Sequence, residues 1–168
     1  LGNERGLYTG LMYHPSRKIE WVNYLDAFSF PWLRFRADAP SSGVDFLSQF
    51  SYIWYKQGRL IFRFRHRLRQ ENVTDPSRPE SLQADMIRNQ GRIDFQYKLS
   101  EIWAIRSRAE VSYYFKELTS REFGMLFFQD LLWSSRNNKI SGNMRVAYFN
   151  TESFDSRIYA YEQDVLYA

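Results

Sequence analysis

The stretch RLIFRFRHRLR, Arg59 to Arg69, decides how this chain is read. From Arg63 onward every second residue is an arginine: Arg63, Arg65, Arg67 and Arg69. Phe62, Phe64, His66 and Leu68 alternate with them. Successive side chains of a β-strand point to opposite faces. The segment is therefore expected to form a strand with an arginine ladder on one face and a mostly apolar second face.

Composition fits that pattern. The 168 residues suffice for one domain, expected to span 1–168, with a formal charge of +4. Arginine outnumbers lysine 18 to 5, which suits interior or interfacial pairing better than a merely solvated surface. Aromatic residues make up 18% of the chain. So many rings require an extended apolar environment, or two interfaces at which to anchor. The absence of cysteine excludes disulfides, thiolate catalysis and Cys-based metal sites. No run of 18 apolar residues predicts a transmembrane helix. The chain starts at Leu1 without a signal peptide and is expected to be a mature or excised segment.

Period-2 alternation marks nine extended segments: 5–13, 17–37, 43–56, 59–71, 87–99, 102–117, 121–135, 139–150 and 154–168. Strands of soluble proteins average about 5–6 residues, whereas a tilted membrane-crossing strand needs about 9–11. Segment 17–37 is expected to bend at Pro31, and could count as two strands, making ten. The segment 154–168 alternates poorly and is expected to hold a bulge. Short connections (14–17, 57–58, 100–102 and 137–138) alternate with longer ones (38–43, 71–85, 117–121 and 151–154). That asymmetry is characteristic of outer-membrane barrels.

Hairpin registers sharpen the expectation. An Asn137-Asn138 turn sets Trp133 against Gly142, Leu131 against Met144 and Asp130 against Arg145. A turn at 100–102 sets Asp94 against Arg108, Arg92 against Glu110 and Gln96 against Arg106. A loop at 117–121 sets Arg108 against Asp130 and Lys116 against Glu122. A Gln57-Gly58 turn sets Ile53 against Phe62, Leu47 against Leu68, Tyr52 against Arg63 and Phe50 against Arg65.

The expected lumen-lining, anion-attracting set is then Arg63, Arg65, Arg67, Arg69, Arg92, Arg106, Arg108 and Arg145, with Lys98 beside them. Asp94, Glu110 and Asp130 are the expected ion-pair carboxylates, leaving a surplus of six positive charges. Ile105, Ala109, Val111, Leu131, Met144 and Val146 would face lipid. Trp103, Tyr113, Phe115, Phe123 and Trp133 would supply aromatic girdles. Gln49, His66, Ser107 and Gln129 fit this lipid face poorly.

Three further stretches carry a resemblance: FPWLRFRADAPSSG (30–43), FGMLFFQDLLW (123–133) and DSRIYAYEQDVLYA (155–168). They resemble the barrel region of a Bacteroidota outer-membrane protein family, in which the barrel follows N-terminal helix-hairpin-helix repeats. The resemblance implies an outer-membrane location in a Gram-negative bacterium and a periplasmic DNA-binding module in the parent chain. It supplies no catalytic residues.

The fold expected is an all-β, antiparallel up-and-down transmembrane β-barrel of about nine to ten long strands, part of a larger barrel. Its expected role is a porin-like channel, a transport-associated pore or a membrane anchor. Expected partners are membrane lipid and, at the arginine ladder, lipopolysaccharide or an anionic solute. The alternative is a soluble all-β barrel or sandwich binding an apolar or anionic ligand, with Phe62, Phe64 and Leu68 turned inward. Nucleic-acid binding by the ladder is a further reading. Ser48 and Ser51 near His66 lack an orienting acid, so no catalytic residue is assigned. The acidic loop with Glu71, Asp75, Glu80 and Asp85 reads as a solvated loop, and no metal or cofactor is expected.

Overall fold

The computed structural model describes residues 3–33, 35–73, 82–117, 121–154 and 156–160. These contain no helix and eight strands: β1 (Arg5–Ser16), β2 (Ile19–Phe30), β3 (Ser41–Trp54), β4 (Gly58–Val73), β5 (Leu82–Lys98), β6 (Trp103–Lys116), β7 (Arg121–Ser134) and β8 (Ser141–Thr151). They form one antiparallel up-and-down sheet in chain order. Among the described residues β1 and β8 do not pair, so they are its two edges.

The segment 17–37 is not one bent strand and not two. β2 stops at Phe30, where Pro31 removes a ladder donor. Arg36 then adopts a left-handed φ of 65°, and its carbonyl accepts from the Asn72 amide at 2.8 Å. Nor does a ninth strand follow β8 among the described residues. The amide of Phe123 donates to the Glu152 carboxylate at 2.8 Å, and Ser153 donates to Glu122. Ser156 is completely buried over Gly124, where a Cβ would stand 2.2 Å from the Ser156 carbonyl oxygen. The chain thus turns back onto β7 instead of extending the ladder. The rest of the expected ninth segment, 161–168, lies outside the described residues, as do Asp75 and Glu80.

Two registers agree with expectation and two do not. β7–β8 and β5–β6 pair as the turns at 137–138 and 100–102 dictate, although the former loop is wider, closed by Ser135 donating to the Ile140 carbonyl. Between β6 and β7 the pairing is offset by two residues: Asp130 faces Arg106 and Glu122 faces Tyr114. An even offset leaves every side chain on its expected face.

The β3–β4 offset is odd, and an odd slip reverses faces. Lys56, not Gly58, takes the left-handed conformation, at φ 58°. Gly58 instead begins β4, where a Cβ would lie 2.1 Å from the Gln96 carbonyl oxygen. Phe50 therefore faces Phe62, Gln49 faces Arg63, Leu47 faces Arg65 and Asp45 faces Arg67. The expected pairs Tyr52–Arg63 and Phe50–Arg65 do not form.

The short turns also set a slope. One row of paired residues runs Ile19, Tyr52, Leu60, Phe95, Ser107, Gln129 and Val146. Ile19 is about two residues from the centre of its turn, Leu60 about four, Phe95 about six and Gln129 about eight. The drift is roughly 1.2 residues per strand. At about 3.3 Å per residue and 4.8 Å between strands, a level through the turns is crossed at about 40°. Barrel strands tilt by about 35–45°.

The two faces differ in burial without any second layer. Phe128 is 2% exposed while the adjacent Phe127 is 49% exposed. Glu110, Ser112, Tyr114, Leu126 and Asp130 are buried on the same face as Phe128. A single sheet can bury one face only by curving so that those side chains converge, so this face is concave.

Candidate functional site

The concave face carries the arginine ladder. Arg63, Arg65, Arg67 and Arg69 project from β4, Arg92 from β5, Arg106 and Arg108 from β6 and Arg145 from β8. Asp94, Glu110 and Asp130 share that face, so all eleven expected site residues lie on one surface.

The carboxylates hold specific partners. Arg108 Nε donates to Asp94 at 2.5 Å and Arg92 Nε to Glu110 at 2.8 Å. Asp130 is 2% exposed and is gripped from both neighbouring strands. Arg145 reaches it through Nε at 2.6 Å and Nη2 at 2.9 Å, and Arg106 through Nε at 2.8 Å and Nη2 at 2.5 Å. Phe128, two residues before Asp130, supports the same cluster. The guanidinium carbons of Arg145, Arg106 and Arg108 stand 4.2, 5.6 and 5.4 Å from its ring centroid. Forked pairing combined with stacking on a ring is chemistry that lysine cannot reproduce, which explains the arginine bias.

Sequence reasoning missed Asp45, because the odd register slip had turned β3 over. Asp45 is the acid for the upper ladder: Arg65 bonds it through Nε at 2.9 Å and Nη2 at 2.6 Å. Arg67 Nε lies 3.2 Å away, close enough for ionic attraction but out of line for a hydrogen bond. The Tyr24 hydroxyl donates to the same carboxylate at 3.2 Å. Gln49, expected to face lipid, instead accepts from Arg63 Nε and Nη2 at 2.8 and 2.6 Å. Arg88 was also missed; it faces Arg67 and lies 5.4 Å over the Tyr114 ring. Over the strand residues the concave face holds twelve basic and eight acidic side chains, so the surplus is four, not six.

The convex face is nearly free of charge. Its charged strand residues, Arg5, Asp85 and Arg121, all lie at the end away from the short turns. Aromatic residues mark both limits on β6 and β7: Trp103 pairs with Trp133, and Tyr113 with Phe123. The polar residues between them are satisfied within the sheet. Ser107 donates to Gln129 at 2.6 Å, His66 Nδ1 lies 2.7 Å from Asn89 Oδ1, and the Trp21 indole donates to Ser48 at 2.9 Å.

Ser48 and Ser51 do not join His66. Ser48 serves Trp21, and Ser51 lies on the opposite, concave face. Among the described residues no group of His, Asp and Glu side chains could hold a metal ion. No protein-family model, curated protein or solved structure matches this chain.

Proposed function

We propose that this chain is a wall of an outer-membrane β-barrel, with lipid against the convex face and water against the arginine-lined concave face. The observation that carries the reading is the uncharged convex belt closed by aromatic pairs at each limit. Trp103 and Tyr113 are ten residues apart on β6, as are Phe123 and Trp133 on β7. Ten steps of about 3.3 Å, tilted by about 40°, rise about 25 Å, the height of the apolar band of outer-membrane barrels.

The soluble alternative requires Phe62, Phe64 and Leu68 to meet in a closed core. Phe62 and Phe64 are instead 42% and 46% exposed on the convex side, which counts against it. In a bilayer an open sheet edge costs several kcal/mol per unpaired backbone group. On this reading further strands, from a longer chain or a second copy, pair with β1 and β8. The role that follows is a channel, a transport-associated pore or a membrane anchor; the resemblance adds a periplasmic DNA-binding module as a partner in the parent chain.

The cysteine-free chain suits a direct test. Single cysteines at Ala109 (convex) and Gln90 (concave), spin-labelled in proteoliposomes, are expected to differ. The Ala109 label should be relaxed by oxygen, and the Gln90 label by a water-soluble nickel chelate. Equal exposure of both to the chelate sinks the proposal. Heat-modifiable gel mobility and fractionation with the outer membrane are the expected accompanying signs.

A further inference from the structure

We propose that the concave face holds, at its short-turn end, a binding site for a small organic anion: a carboxylate on a short apolar tail, headed by Arg59 and Lys98 and seated on Ala104. The proposal rests on the preceding reading in one respect: that face is taken as the aqueous side.

The positive surplus of the concave face is not spread evenly along it. One row of paired residues crosses the sheet as Ile53, Arg59, Gln96, Arg106, Asp130 and Arg145. The next row towards the turns holds Lys98, Ala104, Leu132 and Asn143. Together these rows carry four basic side chains and one acidic one, and so three of the face's four surplus charges.

A cavity of about 460 Å³ opens here. Lys56, Arg59, Lys98 and Arg106 line it, and among the described residues no carboxylate does. Arg106 is already committed, through Nε and Nη2, to Asp130. Arg59 is not. Its Nε donates to the neutral Gln96 Oε1 at 3.2 Å, and its Nη groups have no partner among the described residues. The Lys98 ammonium has neither a hydrogen bond nor an ion pair there. Lys56 Nζ lies 5.4 Å from the ring centroid of the adjacent Tyr55. Gln96 thus orients the Arg59 fork without neutralising it. A carboxylate can accept from that fork, with Lys98 adding a second charge.

The floor beside these cations is apolar. Ala104 stands between Lys98 and Leu132, so the surface dips to a methyl group between two longer side chains. Leu132 and Ile53 wall the dip. Lys98 and Leu132 are two strands apart, about 10 Å, which sets the reach of the tail. A cavity of this size, with an apolar floor and a few placed polar groups, has the character of a small-molecule site. A bare inorganic anion would leave the floor unused. An uncharged tail would leave Arg59 and Lys98 without a partner.

The test uses the 168-residue chain folded in detergent micelles and titrated calorimetrically with hexanoate, at fixed ionic strength in chloride and with protein-free micelles as the blank. Saturable binding is expected, at least tenfold tighter than that of hexanol or inorganic phosphate. Arg59→Gln and Lys98→Gln should each weaken it at least threefold. Ala104→Leu fills the dip without touching a charge and should weaken it at least tenfold. Arg69→Gln removes the same charge from the same face, about 33 Å further along β4, and should change it less than twofold. Absence of saturable binding by the folded parent chain overturns the site. Equal affinity for phosphate, or equal weakening by Arg69→Gln, also overturns it, since either reveals only diffuse charge. Full affinity in Ala104→Leu does the same. None of the four substituted residues is fully buried, so folding is expected to survive; heat-modifiable mobility of the same samples reports it. A membrane-inserted chain that ignores hexanoate sinks the site alone. A chain that binds hexanoate but needs no detergent sinks the membrane reading alone.

Discussion

Asp130→Asn offers the sharpest test of how the concave face is held together. The carboxylate makes four contacts of 2.5–2.9 Å to Arg106 and Arg145, and so ties β6 and β8 to the strand between them. Two unit charges about 4 Å apart attract by about 4 kcal/mol at an effective dielectric near 20. Desolvation offsets much of that, and removing one partner of a buried pair costs about 3–5 kcal/mol because the other charge is left uncompensated. Here the arginine side chains keep 22% and 16% exposure and retain Phe128 as a stacking surface. The amide oxygen can still accept up to two hydrogen bonds. The expected loss is therefore at the low end, about 3 kcal/mol. Urea unfolding from lipid vesicles, followed by tryptophan fluorescence, would measure it. Double-mutant cycles with Arg106→Gln and Arg145→Gln should each give coupling above about 1 kcal/mol. A loss below about 0.5 kcal/mol, with no coupling, would refute the geometry. Replacing all three groups together by Leu or Met should cost far less than Asp130→Asn alone, since a well-packed apolar substitute can match a buried ion cluster.

Gly58→Ala should destabilise by about 1–3 kcal/mol, because the new methyl would lie 2.1 Å from the Gln96 carbonyl oxygen and force β4 and β5 apart; the urea midpoint reads this. Reversing only Asp94 or only Arg108 should cost about 1 kcal/mol or more, and the double reversal Asp94→Arg/Arg108→Asp should recover most of it, since the pair is cross-strand at 2.5 Å. Trp103→Ala/Trp133→Ala should lower stability more in bilayers than in short-chain detergent if these rings anchor at an interface. Equal loss in both media would point to simple packing.

The architecture was legible wherever a turn was closed by its own polar residues. Between Leu99 and Trp103 the Ser100 hydroxyl accepts from the Ile102 and Trp103 amides, and the expected register follows. The turn at Asn137-Asn138 has Asn138 at φ 53°, as asparagine tolerates. The Gln57-Gly58 reading failed because glycine has two uses. It commonly supplies positive φ in a turn, whereas here it permits a close backbone approach and Lys56 supplies the positive φ. One odd slip then hid Asp45 and exiled Gln49 to the wrong face. The fold-back after β8 was hidden for a different reason. Ser153, Ser156 and Gly124 come together only through tertiary packing, and alternation along the segment records nothing of that. The ladder itself is plain in the sequence, but the engagement of Asp45 by Arg65 depends on the register.

The choice of arginine over an apolar filling carries its own implication. An ion-paired interior contributes little to stability compared with packed hydrocarbon, and the concave face could have been filled with leucine at no cost to the strand pattern. Instead twelve basic and eight acidic strand residues face inward, while nearly every charge is kept off the convex side. A protein folding in water alone would gain by reversing the two faces, because burying Phe62, Phe64, Phe127 and Met144 would release apolar surface from solvent. The observed orientation costs stability in water and gains it only where the convex side meets a second apolar medium. On the proposed reading the charges can then do what hydrocarbon cannot, which is to hold water and anions along the concave face. On that reading the capacity belongs to arginines held by neutral groups among the described residues, such as Arg63 with Gln49, Arg59 with Gln96 and Arg69 over Phe28.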